Sequence, residues 1–161
     1  MKIREGFVSN SSSSSFIVAF KEVPKSEQEL KELLYGDEQE VKSGWMQEEP
    51  ISTERLARHV WNDLKNSKPL SLSELGDALH GVRDNTYPSI PYPYDFKSMV
   101  DEEVFDMLVE RRSMAIASDF LEQADGKVIY EFSYSDDSTI GAVLEHRGTF
   151  DNVQHIKISH H

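Results

Sequence analysis

The chain has 161 residues, which fits one domain with a core of its own, and we predict a single domain over residues 1–161. It contains no cysteine, which excludes disulfide bonds, thiolate metal sites and cysteine nucleophiles. Its net charge of −12 argues against direct binding of DNA or RNA, which needs a basic surface, and no apolar run approaches the length of a membrane span. We therefore expect a soluble, cytoplasmic protein that binds neither nucleic acid nor membranes.

A serine-rich motif lies close to the N-terminus, between two apolar segments. Gly6–Val8 and Phe16–Phe20 are predicted strands. Both alternating sets of side chains in the second strand are apolar, so we expect it to be buried on both faces and central in its sheet. The segment between the strands is a predicted loop, formed by Ser9, Asn10, Ser11, Ser12, Ser13, Ser14 and Ser15.

Three interpretations of this motif are open. The hydroxyls bond to the backbone of their own tight loop, which is a structural role. Alternatively, the loop is a recognition tag for a protease, kinase or carrier. In the third interpretation, converging backbone N–H groups bind an anion. The motif has neither the lysine of a P-loop nor a dinucleotide-binding glycine pattern.

Serine caps and apolar periodicity predict helices in the middle of the chain. A long helix over Val100–Gln123 is expected to place Val104, Leu108, Ile116 and Phe120 in the core. A short strand is predicted near Val41–Trp45. The shorter predicted helices are Glu27–Leu34 after Ser26, a helix from Ser52 or Thr53 to Asn66, and one from Ser71 or Ser73 to Val82.

An aromatic, proline-rich stretch lies between the predicted helix that ends at Val82 and the long predicted helix that starts at Val100. Proline restrains the backbone beside the rings, and tyrosine suits protein interfaces, so the stretch is a candidate partner-binding surface. The alternative is that it packs over the helices. The candidate residues are Tyr87, Tyr92, Tyr94 and Phe96.

The last third of the chain changes to strand periodicity. Val128–Tyr134 is a predicted strand, Ile140–Glu145 returns as its hairpin partner after a turn at Asp136–Ser138, and Val153–Ser159 is a final strand. The predicted fold class is α+β, with a small, mostly antiparallel sheet built from N- and C-terminal strands and three to four inserted helices.

The motif GFVSNSSSSSF at residues 6–16 resembles the N-terminal signature of small, uncharacterised bacteriophage-associated proteins. The C-terminal segments at 130–137, 141–146 and 155–161 are similar to the endings of such proteins. This resemblance supplies no activity, substrate or cofactor. It implies a setting, namely a phage accessory protein that acts in the cytoplasm of an infected bacterium.

Histidines and carboxylates near the C-terminus are the candidate catalytic residues. Period two places His155 and Lys157 on one face of the last strand, and a carboxylate–histidine patch forms if the faces of neighbouring strands coincide. The usual alternative is a solvated sheet face. No ligand spacing indicates a metal site, and we expect no cofactor. The set is Glu131, Glu145, His155, His160 and His161.

Binding to a host or phage protein, for host takeover or anti-defence, is the leading functional hypothesis, and it requires no enzymatic activity. The alternative is a small His/Glu-dependent or metal-dependent hydrolase or nucleotide-handling protein. An acidic nucleic-acid mimic is disfavoured because lysines such as Lys25, Lys31 and Lys42 are mixed with the carboxylates.

Overall fold

A computed structural model describes residues 12–42 and 49–160. Within those residues the chain forms an α+β fold with five helices and two antiparallel sheets. The element order is β1 (Ser13–Phe20), α1 (Glu27–Tyr35), β2 (Glu40–Val41), β3 (Ile51–Ser52), α2 (Thr53–Lys65), α3 (Leu72–Ala78), a 3₁₀ turn (Tyr94–Phe96), α4 (Glu102–Gln123), β4 (Val128–Ser135), α5 (Thr139–His146) and β5 (Gln154–Ser159).

The elements group into two compact units. The sheet unit takes in Met1–Lys68 and Val128–His161, and the helical unit is Pro69–Lys127. No helix in the described ranges is long and apolar enough to cross a bilayer. The single domain over 1–161 stays a prediction, and its test is one cooperative unfolding transition.

The sheet unit joins the two ends of the chain, as predicted. Its three-stranded sheet has the order β4-β1-β5, and both neighbours run antiparallel to β1. Phe16 pairs with Phe132 of β4 and with Lys157 of β5. From Ser14 onward every residue of β1 is buried, so the prediction of a central strand is confirmed.

One face of this sheet carries the aromatic core of the sheet unit. The Phe150 ring is tilted against that of Phe16 at a centroid separation of 5.1 Å and stacks on that of Phe132 at 5.2 Å. Tyr134 donates a hydrogen bond to Asp63 at 3.0 Å, and burial raises the pKa of its hydroxyl far above the ordinary value. Helices α1 and α2 pack against each other and add Leu30, Leu34, Leu56 and Val60 to this core.

Local caps place the N-termini of α1, α2 and α3 where the sequence predicts them, whereas α4 begins after Asp101 rather than at the predicted Val100, and the start of α5 was not predicted. Ser26, Ser52, Ser71 and Asp101 each accept a hydrogen bond from the backbone three residues on. Val104, however, is 40 % exposed, so its predicted place in the core is wrong. The predicted strand near Val41–Trp45 is present as Glu40–Val41, and its residues 43–45 lie outside the described ranges.

The predicted strand Ile140–Glu145 is wrong, because this segment is helix α5. A short apolar run is compatible with either conformation. Strands β4 and β5 both run antiparallel to β1, so they are parallel to each other and need a crossover connection rather than a hairpin. The return from the Ser135 end to the Gln154 end spans about 20 Å along the sheet, and α5 lies on this path, with Ser138 as its N-cap.

The serine segment also differs from prediction. Ser13, Ser14 and Ser15 belong to β1 and pair with both neighbouring strands or with β4 alone, so the predicted loop is wrong for these three residues. The expected strand Gly6–Val8 and the motif residues Ser9, Asn10 and Ser11 lie outside the described residues.

Candidate functional site

Exposed apolar side chains are concentrated in the helical unit. Of the seven large apolar side chains that are exposed in the described residues, only Leu33 belongs to the sheet unit. Tyr94, Met99 and Met107 are 59 %, 73 % and 53 % exposed. The others are Leu72, Phe96 and Val104. Five of the six lie within residues 94–107, which we call the exposed segment.

Two of the four aromatic candidates are tied into the helical unit. The Tyr87 hydroxyl donates a hydrogen bond to Asp119 of α4. Burial and this carboxylate raise the pKa of Tyr87 to about 12. Tyr92 donates its backbone N–H to Asp84 Oδ1 at 2.6 Å and packs on Phe105 at a centroid distance of 6.1 Å. Tyr87 and Tyr92 therefore hold the loop in place.

The other two aromatic candidates face solvent. Tyr94 and Phe96 form the 3₁₀ turn and are 59 % and 49 % exposed. The Tyr94 ring is held 4.6 Å from that of Tyr92. An aromatic side chain supported by a fixed neighbour loses little entropy on binding, which favours interface use.

Arg112 of α4 connects this loop to the helix. Its side chain is 4 % exposed. It donates from Nε to Ile90 O at 2.9 Å, from Nη1 to Val82 O, and from Nη2 to Asp84 Oδ1 at 3.3 Å. The guanidinium carbon also lies 5.3 Å from the centroid of the Tyr92 ring. One buried cation thereby sets the course of the chain that leads to the exposed segment.

The exposed segment is acidic. It contains five carboxylates and one lysine, Lys97. Asp101 Oδ1 accepts from Val104 N at 3.0 Å, so one of the carboxylates caps α4. The remaining four are Asp95, Glu102, Glu103 and Asp106. Exposed apolar side chains surrounded by negatively charged carboxylates are complementary to a partner surface that is both apolar and basic.

Serine side chains in the sheet unit hold the start of β1. Ser12 Oγ lies 2.6 Å from Glu145 Oε1, 3.1 Å from Asp136 Oδ2 and 3.1 Å from His146 Nε2. A hydroxyl has one hydrogen to donate, and the shortest distance favours Glu145 as its acceptor. Ser14 Oγ contacts the same Glu145 oxygen at 3.3 Å.

The backbone of Ser12 takes part in the same contacts. The Ser12 backbone N–H donates to Asp136 Oδ1 at 3.0 Å and is therefore not free to stabilise an oxyanion. His146 Nε2 faces both Ser12 Oγ and Glu145 Oε1, the latter at 3.3 Å. The Ser12 and Ser14 hydroxyls join β1 to the β4–α5 turn and to α5 rather than to the backbone of their own loop, so the three interpretations of the motif stay predictions.

The candidate catalytic residues lie on different faces of the sheet. Glu131 pairs with Ile17, whereas His155 pairs with Val18, so the two side chains leave opposite faces. The His155 ring packs on Phe16 and Phe150, each with a centroid separation of 6.4 Å, rather than on Glu131 or Glu145. His160 Nε2 contacts Ser15 Oγ at 2.8 Å, and His161 lies outside the described residues.

Glu145 is the most buried of these candidates. Its side chain has no exposed surface, and its Oε2 has no hydrogen-bond partner within the described residues. Lys157 reaches the same helix end but donates to the Glu145 backbone carbonyl at 2.8 Å. In the part of the chain that the structure describes, no group of three or more His, Asp or Glu side chains is placed to hold a metal ion.

A pair of substitutions at Ser14 tests the packing of the serine segment. Ser14 is fully buried. We expect Ser14→Ala to lower the free energy of unfolding by about 0.5–1.5 kcal/mol, for the lost hydrogen bond. Ser14→Leu should cost clearly more, since overpacking alone costs about 1–3 kcal/mol. Urea denaturation measures both, and equal midpoints for the two variants would contradict the expectation.

The sequence analysis missed three features of the helical unit. Met99 and Met107 contribute exposed area, and Arg112 organises the loop. The acidic run Asp101–Glu103 beside apolar residues was the available signal for an exposed start of α4. Nothing in the spacing of Arg112 distinguishes it from its exposed neighbour Arg111.

Comparison with known proteins finds no relative. No protein-family model matches the sequence, no curated protein matches it, and no solved structure matches the fold. The residues and their geometry therefore carry the functional argument.

Proposed function

We propose that this protein works by binding a protein partner that presents basic and apolar residues, and that the exposed segment is the contact surface. The observation that carries the proposal is that five exposed apolar side chains are concentrated in the exposed segment, residues 94–107. They are Tyr94, Phe96, Met99, Val104 and Met107. Scattered exposed apolar side chains are normal, whereas a concentrated set indicates an interaction site.

The composition of the segment supports this choice of partner. Aromatic residues and methionine are enriched at protein interfaces, and flexible methionine adapts to different partner shapes. The five carboxylates around them favour a basic partner and accelerate its association at low salt. The overall charge of −12 acts in the same direction over longer distances.

The biological setting is part of the proposal. The resemblance of residues 6–16 to bacteriophage-associated proteins supports a role as a phage accessory protein in the host cytoplasm. A host or phage protein is then the partner, and host takeover or evasion of defence is the consequence of binding. This role requires no catalysis.

Removal of the exposed side chains should weaken partner binding. We expect the triple substitution Tyr94→Ser, Phe96→Ser and Met99→Ser to lower affinity at least about tenfold, because truncation of a single hot-spot residue, often an aromatic one, costs about 2 kcal/mol or more. The measurement is capture of bacterial host proteins by the tagged chain, identification by mass spectrometry, and titration of the purified basic protein recovered.

Leu33→Ser provides a matched control, since Leu33 is a 37 % exposed apolar residue of the sheet unit. A photo-crosslinking amino acid at position 96 should label the same protein. Equal capture by the triple variant and the wild-type protein, or crosslinking only to proteins without basic surfaces, would refute the proposal.

A further inference from the structure

Helices α3 and α4 pack against each other and leave a groove between them with a volume of about 740 Å³. All of its lining residues belong to the helical unit. Its apolar part includes Leu72, Gly76 and Met114. Its ionisable groups are Asp77, His80, Asp106 and Glu110. The volume of the groove lies within the range of about 300–1,000 Å³ that is usual for binding sites, so it accommodates several side chains of a partner.

A close helix contact shapes the groove. A Cβ atom added to Gly76 would meet Met114 Sδ, so glycine lets α3 approach this flexible side chain without displacing it. Met114 is half-buried, and Leu72, at 47 % exposure, is more accessible. The groove therefore offers apolar surface that solvent reaches.

The groove is acidic in the part of the chain that the structure describes, where no lysine or arginine lines it. Within the described ranges, no ion pair joins the side chains of Asp77, Asp106 or Glu110 to a basic group. Like charges on facing helices repel each other, and a cation placed between them relieves this repulsion.

The groove continues into the exposed segment. Asp106 belongs to both, and Met107, Glu110 and Met114 follow one another along one side of α4 at spacings of three and four residues. Acidic and apolar side chains thus alternate along this side of the helix. A partner that covers Met107 would also reach the groove.

We infer that the groove receives the basic side chains of an amphipathic segment of the protein partner. Its lysine or arginine residues bind Asp77, Asp106 and Glu110, and its apolar residues pack on Leu72 and Met114. Charge complementarity and continuity with the exposed segment select this occupant. The inference rests on the proposed function and adds a binding groove and the chemistry of the bound segment.

A labelled helical peptide of about 15 residues, with lysine and leucine on opposite faces, is the probe. Fluorescence anisotropy should show saturable binding that weakens with added salt. A peptide with glutamate in place of lysine should not bind. A scrambled peptide of the same composition should bind at least about tenfold more weakly, since it presents no apolar face.

Matched charge variants locate the binding site. Asp106→Asn with Glu110→Gln removes two charges from the groove, and we expect a loss of affinity of about tenfold or more. Glu122→Gln with Asp125→Asn removes two exposed charges elsewhere in the helical unit and should change affinity less than about twofold. Circular dichroism verifies that both variants fold.

Equal weakening by the two double variants would overturn the inference, because it would show only general attraction to an acidic protein. Absence of binding to the lysine–leucine peptide would overturn it as well. Neither result affects crosslinking through position 96, so failure of the groove is distinguishable from failure of the proposed function.

Discussion

Replacement of Phe132 by alanine should lower the free energy of unfolding by about 3–5 kcal/mol. Phe132 is 3 % exposed and contacts the rings of Phe20, Tyr134 and Phe150 at centroid distances of 6.4, 6.5 and 5.2 Å. The substitution removes a buried ring and leaves a cavity where the central and outer strands of the sheet meet the aromatic core. Urea denaturation followed by circular dichroism measures the change.

Phe96→Ala is the control for this prediction. Phe96 is 49 % exposed, so the same chemical change should alter the free energy of unfolding by only about 0.5 kcal/mol. Similar losses in the two variants would contradict the assignment of Phe132 to the core and of Phe96 to the surface. A large loss for Phe132→Ala alone is the expected result.

Replacement of Arg112 by methionine should destabilise the helical unit by about 1–3 kcal/mol, the cost of leaving a buried hydrogen-bonding group without its partner. Methionine keeps much of the side-chain volume but donates no hydrogen bonds. The carbonyls of Val82 and Ile90 would lose their side-chain donor, and Asp84 would lose its ion pair. Amide hydrogen exchange should then accelerate throughout residues 82–92, including the Tyr92 N–H that is bonded to Asp84.

Arg111→Met is the matched control, because Arg111 is the exposed neighbour of Arg112 on α4. We expect its effect on stability and on exchange to be within about 0.5 kcal/mol. Arg112→Met should also weaken partner binding, since the loop leading to Tyr94 loses its anchor. Unchanged exchange in residues 82–92 would show that the guanidinium does not hold this loop.

The sequence by itself determined the elements that depend on local interactions. Ser26, Ser52 and Ser71 mark helix starts because a cap bonds to a backbone group only three residues away. The central position of β1 was also predictable, because only a strand with neighbours on both sides can bury an entirely apolar run. Composition alone named Tyr87, Tyr92, Tyr94 and Phe96 as candidate partner-binding residues, but it did not separate the exposed Tyr94 and Phe96 from the other two.

Only the tertiary structure decided elements whose conformation depends on distant partners. Ile140–Glu145 forms helix α5 on the path by which the chain returns from the end of β4 to the start of the parallel strand β5, and a short apolar run does not by itself distinguish helix from strand. Ser13–Ser15 form a strand because β4, and β5 from Ser14 onward, supply hydrogen-bond partners that no local pattern announces. Serine has weak intrinsic preference, so these partners decide its conformation.

The same distinction holds for the candidate site. Arg112 is buried whereas its neighbour Arg111 is exposed, and Met99, Val104 and Met107 are exposed as well. The degree of burial of each side chain is a property of the assembled fold. Gly76 and Met114 both line the groove. They are far apart in the sequence and are brought together by the packing of α3 against α4. Capping and periodicity extend over only a few residues, so they determine where helices form and leave open which of their faces remain available to a partner.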